Sequence, residues 1–340
     1  MSNLAIVIPA YKSTYFDQAL LAIVNQTNKD FTLYIGDDCN PENLYSIVEK
    51  YIDRIPIVYK HFDENIGGKD LVAQWERCID LVCNEEWIWL FSDDDMMDPN
   101  CVKNFFNSLN QYPDFDLFHF NVQKIDEHEI IIDNFYFFPK ILTSEEFILK
   151  RLQGGCFSMV VEYIFRKSHF YNMKRFVNFD LAWGSDDATW IKLGKNKGIV
   201  NIEDSKVYWR KSLINISSIV KDKKILIRKL NAQIKFGNWI YEQSKQGEFK
   251  IESSFLQSQL EKWFMSTIQS NIEFLNFKLV ASLIENFNSV VEKEQSTFQK
   301  VIFLYTYKIY RYFIGIIKKI IFWRFLKLQR QKFQSLNTFL

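Results

Sequence analysis

The stretch Trp87-Ile88-Trp89-Leu90-Phe91-Ser92-Asp93-Asp94-Asp95 decides the fold class of this chain. An unbroken apolar run such as 87–91 is typical of a strand that is buried on both faces of a parallel sheet. The aspartates follow directly, so carboxylates cluster where the strand emerges. Like charges this close repel one another, and a hard divalent cation relieves that repulsion. The cluster predicts a metal site or, in the simpler interpretation, a solvated acidic turn.

The segments around this strand alternate between strand and helix patterns. We predict strands at Leu4–Ile8, Phe31–Gly36 and Ile55–Tyr59, and helices at Tyr15–Asn25, at Asn43–Tyr51 and from the loop 64–68 to about Val82. Farther along we predict a helix at Cys101–Gln111, strands within Leu117–Ile132, a helix at Thr143–Leu152 capped by Thr143 or Ser144, and mostly helices from Lys221 to Ser289. The alternation in the first part indicates a doubly wound α/β sheet.

The composition is that of a globular protein with an uneven charge distribution. The chain has 340 residues, of which 17% are aromatic, and its net charge is +1. Residues 295–340 contain nine basic and no acidic side chains, whereas residues 1–294 carry a net charge of −8. The acidic body and the basic tail are therefore expected to have different partners.

The cysteines and the N-terminus favour a reducing compartment. Five cysteines occur without any Cys-x-x-Cys pair, which supports neither a disulfide framework nor a zinc ribbon. The N-terminus lacks a basic leader and enters the apolar segment Leu4–Ile8 at once, so we expect no secretion signal.

Polar clusters follow three of the predicted strands, where ligands of open α/β sheets bind. Roughly the first 110 residues resemble the nucleotide-sugar half of family 2 glycosyltransferases. The resemblance rests on four motifs in the family's order: Ile6-Val7-Ile8-Pro9-Ala10-Tyr11, Tyr34-Ile35-Gly36-Asp37-Asp38, Asn65-Ile66-Gly67, and Phe91-Ser92-Asp93-Asp94-Asp95 with Pro99. It weakens after about residue 200.

The resemblance implies a doubly wound mixed sheet of the glycosyltransferase A type with a helical C-terminal extension. We predict a nucleotide-sugar-binding half at 1–110, an acceptor-binding half of the same catalytic domain at 111–220, a helical extension at 221–294 and a basic amphipathic tail at 295–340.

By the same resemblance, several residues are candidates for binding the nucleotide. Pro9 and Tyr11 would line the base pocket, although plain packing is the alternative for Tyr11. A carboxylate after the second strand would accept a hydrogen bond from the base, and Asp38 fits this position better than Asp37.

The loop 65–69 would bind the diphosphate through Asn65, Gly67 and Lys69, because backbone N–H groups at a helix start favour anions. The family's usual Ala-Arg-Asn stretch is replaced here by 72–77, so both Lys69 and Arg77 stay open as phosphate ligands.

The resemblance also implies Mg²⁺ or Mn²⁺ at the aspartate cluster. Alignment on Pro99 favours Asp94 as the direct ligand, with Asp93 beside it towards the ribose and the metal. Literal Asp-x-Asp spacing favours Asp93 and Asp95 instead. Magnesium needs few carboxylates when phosphate oxygens complete its shell, and the four histidines form no metal-spaced pair.

A second acidic motif lies in the segment 180–190. An inverting transfer needs a carboxylate that accepts the proton of the acceptor hydroxyl. The family places an acid pair about 90 residues after the metal motif, so Asp187 is the candidate base, with Asp186 beside it. Ser185 would cap the following helix and Trp183 would form a platform for the acceptor sugar. Alternatively, the two aspartates only stabilise the N-terminus of the helix, and Trp183 packs in the core.

The basic tail has the pattern of an amphipathic helix, with Lys300, Lys308, Arg311, Lys318 and Lys319 on one face and Ile302, Ile309, Phe313, Ile316, Ile317 and Ile320 on the other. It predicts an interfacial helix on an anionic membrane surface; docking on the protein's own core or on a second copy in a homodimer is the alternative. The large apolar face argues against nucleic acid as a partner.

Together these patterns predict a metal-dependent hexosyltransferase. It would transfer a sugar from a nucleoside diphosphate sugar, most simply a UDP-sugar, to a saccharide or lipid-linked glycan acceptor, with inversion. The resemblance places it in bacterial surface polysaccharide synthesis, cytoplasmic and peripheral on the inner face of the cell membrane. An inactive membrane-associated scaffold that binds nucleotide sugars is the alternative. A nucleotidyltransferase is disfavoured, because no Gly-rich, Arg-containing loop follows the first strand.

Overall fold

The computed structural model describes residues 3–133, 138–212, 215–219, 221–292, 297, 299–306 and 308. The strands in this part of the chain are β1 (Leu4–Ala10), β2 (Phe31–Asp37), β3 (Ile57–His61), β4 (Trp87–Leu90), β5 (Met96–Met97), β6 (Leu117–Ile125), β7 (Ile141–Leu142), β8 (Tyr163–Arg166) and β9 (Ile199–Arg210). The α-helices are α1 (Phe16–Val24), α2 (Tyr45–Val48), α3 (Leu71–Ile79), α4 (Cys101–Gln111), α5 (Ser144–Gln153), α6 (Lys167–Asn172), α7 (Ser185–Leu193), α8 (Lys223–Lys245), α9 (Ser253–Asn271) and α10 (Phe277–Val290).

The strands form one mixed sheet in the order β3-β2-β1-β4-β8-β6-β9-β5, with β7 on β9. β3, β2, β1 and β4 run parallel to one another, which follows from the helical crossovers between them. β8 runs antiparallel to both β4 and β6, and β6 and β9 are parallel. The predicted doubly wound mixed sheet is confirmed.

Two of the predicted secondary-structure elements are shorter or fewer in the structure than the sequence indicates. The helix expected at Asn43–Tyr51 is α-helical only over α2, where Val48 is the buried residue and no side chain caps the start. The strands expected within 117–132 are β6 and a single antiparallel bridge between Ile125 and Ile131. By contrast, α5 begins as predicted, because Thr143 forms a capping box with Glu146.

The packing of the sheet explains why its central strands consist of unbroken apolar runs. Both faces of β4 are covered, and its residues are all buried. Trp89 stacks on Phe120 with ring centroids 5.0 Å apart, and its indole N–H donates to the carbonyl of Val161 at 2.7 Å. Burial of such large side chains contributes roughly 1.5–3 kcal/mol each, so this core fixes the strand ends that carry the polar motifs.

The chain divides into two compact units, residues 1–264 and 265–340. The first contains the whole sheet. In the second, Leu283, Ile284 and Phe287 of α10 are buried, as are Val301 and Leu304. The four-part division predicted from the sequence stays a prediction.

The predicted tail helix falls largely outside the described residues, which end at 308. Ile302, expected on its apolar face, is 44% exposed. Among the described helices, none combines the length and the apolar character that crossing a membrane requires.

Candidate active site

The carboxyl ends of β1, β2 and β4 lie side by side and bring the polar motifs together. Asp38 N donates to the carbonyl of Ala10 at 2.9 Å, and Phe91 N donates to the carbonyl of Val7 at 2.8 Å. The segments that follow these strands therefore share one edge of the sheet, as the sequence motifs require.

Asp93 joins the end of β4 to the segment after β1. Its Oδ2 accepts hydrogen bonds from the backbone N–H groups of Tyr11 and Lys12 at 2.8 and 2.6 Å. Burial and the charge of Asp94 raise the pKa of Asp93 to about 6, against the lowering effect of Lys12 and of these hydrogen bonds. Thus Oδ2 of Asp93 binds the backbone of the segment after β1.

Asp95 is bonded to β9 and not to the other two aspartates. Its Oδ2 accepts from the Ser92 hydroxyl at 2.6 Å and its Oδ1 accepts from Arg210 N at 2.7 Å. Burial raises its pKa well above the ordinary range, and the charge of Asp94 adds to this. The fully buried Arg210 also donates from Nε to the carbonyl of Asp94 at 2.9 Å. These contacts fix the motif from the opposite side of the sheet.

Asp94 contacts a side-chain cation. Its Oδ2 accepts from Lys12 Nζ at 2.8 Å, and the same Nζ lies 4.0 Å from Oδ1 of Asp93. Burial alone would lower the pKa of Lys12, but the charges of Asp94 and Asp93 raise it. Lys12 Nζ also donates to Oδ1 of Asn215 at 3.1 Å. The ammonium group therefore links the aspartate motif to the segment after β9.

The carboxylates of this motif are hard oxygen donors, the kind of ligand that a divalent cation such as Mg²⁺ prefers, and Asp94 is the candidate ligand. Burial and the charge of Asp94 raise the pKa of Asp93, and the charge of Lys12 opposes this. Within the described ranges, no group of three or more His, Cys, Asp or Glu side chains is arranged to share one metal ion. An ion at Asp94 would hence depend on oxygens from a ligand such as a diphosphate.

Asp38 organises the loop before α3. Its Oδ1 accepts from Ile66 N and its Oδ2 accepts from Gly67 N, both at 2.9 Å, and Nη2 of Arg77 donates to Oδ1. A Cβ atom on Gly67 would lie 2.5 Å from Oδ2 of Asp38, so only glycine permits this approach. Arg77 therefore lies at the carboxylate of the second strand. Asn65 accepts from Gly68 N at 3.0 Å within the same loop.

The other nucleotide candidates differ in their exposure. Asp37 is buried and accepts from the Tyr59 hydroxyl at 2.5 Å, and its Oδ2 lies 3.0 Å from Nδ1 of His61. Tyr11 is 44% exposed. Pro9 is half-buried and Lys69 is exposed. Thus Tyr11 and Lys69 are open to a ligand, while Asp37 is occupied by protein contacts.

Asp186 and Asp187 lie in the first turn of α7, as predicted, but Ser185 does not cap this helix. The N-cap position is Gly184, with φ of 90°, and the helix begins at Ser185. The buried Ser185 hydroxyl instead accepts from Phe179 N at 2.8 Å. A Cβ atom at Gly184 would lie 3.2 Å from the Phe236 ring, which explains glycine at this position.

The two aspartates of α7 have different surroundings. Asp187 is 5% exposed; its Oδ2 accepts from Nε and Nη2 of Arg151 at 2.9 and 2.6 Å. Its Oδ1 is buried and has no hydrogen-bond partner among the described residues. Burial raises the pKa of Asp186 to about 7, and the charge of Asp187 contributes. Asp186 therefore keeps its proton to a higher pH than an exposed aspartate does.

A cavity of about 1060 Å³ opens beside this acid pair. Trp183, predicted as a sugar platform, lines it, as do Asp186 and Asp187. The segment after β9 contributes Ser212 and Ser217. Since Asn215 of this segment bonds to Lys12, the cavity and the aspartate motif are joined by one short stretch of chain.

Sequence reasoning missed the basic partners of these carboxylates. Lys12 stands within the first motif, next to Tyr11, so its position was a usable signal. No sequence pattern near Arg151 or Arg210 indicates a role for them. Arg151 is 36 residues from its partner Asp187, and Arg210 is 115 residues from its partner Asp95. The histidines were interpreted as ordinary residues; His119 is buried, and burial lowers its pKa to about 3.

The nine-stranded mixed sheet of the described residues, with the polar motifs at the carboxyl edge of its parallel strands, defines an α/β fold of the glycosyltransferase A type. Residues 5–169, just under half of the chain, match the family described as "Glycosyl transferase family 2", the family that the sequence motifs resemble. No curated protein sequence matches the chain.

Solved structures similar in fold include those of S. aureus TarS. The structure of TarS 1-349 in complex with UDP has a TM-score of 0.52 and 15% identity, covering 86% of this chain and 90% of that chain. The same fragment in complex with UDP-GlcNAc has a TM-score of 0.53 and 14% identity, covering 86% of this chain and 91% of that chain. At such identities the similarity concerns the glycosyltransferase A fold.

Proposed function

We propose that this glycosyltransferase transfers a hexose from a UDP-sugar to a saccharide acceptor with inversion at the anomeric carbon. The observation that carries the proposal is the connection from Asp94 through Lys12 to Asn215, because it puts a donor-type carboxylate motif next to a large cavity with an acid pair. The donor choice is supported by the UDP and UDP-GlcNAc bound to TarS.

In this proposal the donor lies at the carboxyl edge of the sheet. Tyr11 and Pro9 line the base, and Asp38 holds the loop 65–69 so that its backbone N–H groups and Lys69 face the diphosphate. Asp94, with Asp93, would hold Mg²⁺ or Mn²⁺, which neutralises charge on the leaving diphosphate. Lys12 would share this task, since its ammonium group already lies at Asp94.

The acceptor hydroxyl is deprotonated by Asp187. Arg151 fixes one oxygen of this carboxylate and compensates its charge, which leaves Oδ1 to accept the proton. The hydroxyl oxygen then bonds to the anomeric carbon as the bond to the diphosphate breaks on the opposite face, which inverts the centre. Asp186 stands beside it as the alternative base, because a pKa of about 7 suits proton transfer at neutral pH.

The acceptor in this proposal is a glycan of a bacterial surface polysaccharide, carried on a lipid at the inner face of the cell membrane. The nine basic side chains after residue 295 support this placement, since they would attract anionic lipid headgroups. The protein would then act as a peripheral membrane enzyme.

Calorimetric titration of the full chain with UDP and with GDP, each with and without Mn²⁺, tests the donor site. We expect Mn²⁺-dependent binding of UDP, and loss of that binding in Asp94→Ala without a change in thermal unfolding. Asp53→Ala, at an exposed position away from the motif, is the matched control. If neither nucleotide binds, the proposal is wrong and a scaffold without turnover becomes the better explanation.

A further inference from the structure

The cavity beside Asp186 and Asp187 is large for a single sugar ring. Protein ligand pockets commonly measure about 300–1,000 Å³, and this one, at about 1060 Å³, lies at the upper end. We propose that it binds an acceptor of at least two sugar units without net negative charge, a neutral oligosaccharide, with tryptophan rings as stacking surfaces. This inference rests on the proposed function, because it names the acceptor class of the same site.

Aromatic side chains from four different elements line the cavity. Each of the following is half-buried, so that part of its surface is open: Phe157, Trp183, Trp209 and Trp263. Large rings combine apolar faces with polar edges and suit ligands of the same character. Hexose rings have such a character, with C–H groups on their faces and hydroxyls around their rims. Several separate rings can therefore contact more than one sugar unit.

These rings are held in place by neighbouring side chains. Phe157 and Trp209 pack edge to face with centroids 5.7 Å apart, and Nζ of Lys124 lies 4.0 Å from the centroid of Phe157. Nζ of Lys229 lies 4.4 Å from the centroid of Trp183. Rings that are fixed before a ligand binds lose little entropy on binding, so the surface is preorganised.

The backbone before Trp183 is strained, which is a common property of functional sites. Leu181 and Ala182 have φ of 59° and 54°, a region that residues other than glycine rarely adopt. Such conformations are unfavourable and persist only when the surroundings impose them. Nε and Nη2 of Arg228 in α8 donate to Asp180 at 2.9 and 2.7 Å, which is one contact at the start of this turn. The turn places Trp183 in the lining of the cavity.

The charges around the cavity disfavour a polyanionic acceptor. Among the described lining residues, five are acidic and three are lysine or arginine: Asp126, Glu127, Asp133, Asp186, Asp187, and Lys124, Arg151, Lys211. Arg151 is paired with Asp187, and Lys124 Nζ lies 2.8 Å from Asp133. Beyond these pairs the lining carries Asp126, Glu127 and Asp186 against Lys211, so a phosphate group entering the cavity would meet an acidic excess.

Two buried acceptor atoms of the lining favour a ligand rich in hydroxyls. Oδ1 of Asp187 and Oε1 of Gln233 have no hydrogen-bond partner within the described part of the chain. A buried acceptor without a donor is unfavourable, and a sugar hydroxyl can supply the missing hydrogen bond. The cavity therefore combines stacking surfaces with acceptors, which is the chemistry that recognises a neutral saccharide.

Intrinsic tryptophan fluorescence, checked by calorimetry, tests this proposal on the full chain with UDP and Mn²⁺. The probes are the tetrasaccharides of glucose, N-acetylglucosamine, galactose and mannose, their monosaccharides, and a glycerol phosphate tetramer. We expect at least one tetrasaccharide to bind about tenfold or more tightly than its monosaccharide, and more tightly than the phosphate tetramer. Absence of any such length effect, or preference for the phosphate tetramer, overturns the proposal.

Substitutions at Trp263 test whether the tetrasaccharide binds in this cavity. Trp263→Leu keeps apolar volume but loses the aromatic face, and Trp263→Ala loses both; each should weaken tetrasaccharide binding about tenfold while UDP binding is unchanged. Phe255→Ala, on the same helix α9 but 43% exposed and outside the cavity lining, should change neither. Unchanged tetrasaccharide binding in both Trp263 variants contradicts the proposal. Loss of UDP binding with retained saccharide binding would contradict only the proposed transfer reaction.

Discussion

Arg151 donates two hydrogen bonds, from Nε at 2.9 Å and from Nη2 at 2.6 Å, to the same carboxylate oxygen of Asp187. The side chain of Asp187 is 6% exposed and that of Arg151 is 25% exposed, so the pair is largely shielded from water. One oxygen of the carboxylate is immobilised, and the other has no partner among the described residues. This asymmetry is the basis of the role proposed for Asp187 as the base.

Asp187→Asn should abolish most of the transfer. Loss of a general base typically lowers kcat by about 10²–10⁴-fold, and asparagine keeps the shape of the side chain. The measurement is UDP release from a panel of UDP-hexoses in the presence of the neutral tetrasaccharides. UDP affinity should be unchanged, because Asp187 lies at the cavity and not at the aspartate motif. If Asp186→Asn loses more activity than Asp187→Asn, Asp186 is the base.

Arg151→Met should destabilise the protein by about 3–5 kcal/mol, because it leaves the buried charge of Asp187 without its partner. The double variant with Asp187→Asn should recover much of this loss. Urea denaturation at pH 7 measures both. The matched control is Arg228→Met: this arginine pairs with Asp180, but the side chains are 40% and 37% exposed, so we expect a change of less than about 1 kcal/mol.

The stability of the protein should depend on the ionisation of Asp186. Burial and the charge of Asp187 raise its pKa to about 7, so the folded state favours the protonated form. The wild-type protein therefore loses stability as pH rises from about 4 through about 7, where the unfolded chain ionises more readily. Asp186→Asn removes this loss.

The expected gain in unfolding free energy for Asp186→Asn is on the order of 1–3 kcal/mol at pH 8 and close to none at pH 4. Denaturant unfolding of both proteins at the two pH values provides the measurement. An equal difference at both pH values would show that Asp186 does not titrate in this window.

Gly67→Ala should weaken nucleotide binding by about tenfold or more while the fold is retained. The added Cβ would lie 2.5 Å from Oδ2 of Asp38, so the loop must move and lose its hydrogen bonds to that carboxylate. Calorimetric titration with UDP and Mn²⁺ measures the effect. Gly155→Ala is the control, since its Cβ would find no atom closer than 3.6 Å. Wild-type affinity in Gly67→Ala would remove this loop from the donor site.

A chain that ends at Lys308 should lose affinity for anionic vesicles. It keeps Val301 and Leu304, which are buried, and lacks seven of the nine basic side chains of the tail. Each basic residue near an anionic surface contributes about 1 kcal/mol, so the loss should be large and should vanish at high salt. Sedimentation with phosphatidylserine vesicles measures it, with phosphatidylcholine vesicles as the control. Equal sedimentation of both chains would refute the interfacial helix.

The sequence predicted the elements whose signals are local. The apolar runs of β1, β2 and β4, the helix α4 and the cap at Thr143 follow from residue type and spacing within a few positions, and the structure contains all of them. The helix expected at 43–51 is α-helical only over α2, whose start has no side-chain cap. The cap at Ser185 was wrong because the hydroxyl bonds to Phe179 N in the preceding turn.

The sequence by itself thus determined the strands β1, β2 and β4, the edge at which the aspartates emerge and the acid pair at the start of α7, since all of these depend on neighbouring residues. Only the tertiary structure decided how each carboxylate is used: Asp95 on β9, Asp38 under its loop, Asp94 beside Lys12 and Asp187 on Arg151. These partners come from distant parts of the chain, and a buried charge takes whichever partner the packing brings within hydrogen-bond distance. No local spacing encodes that choice.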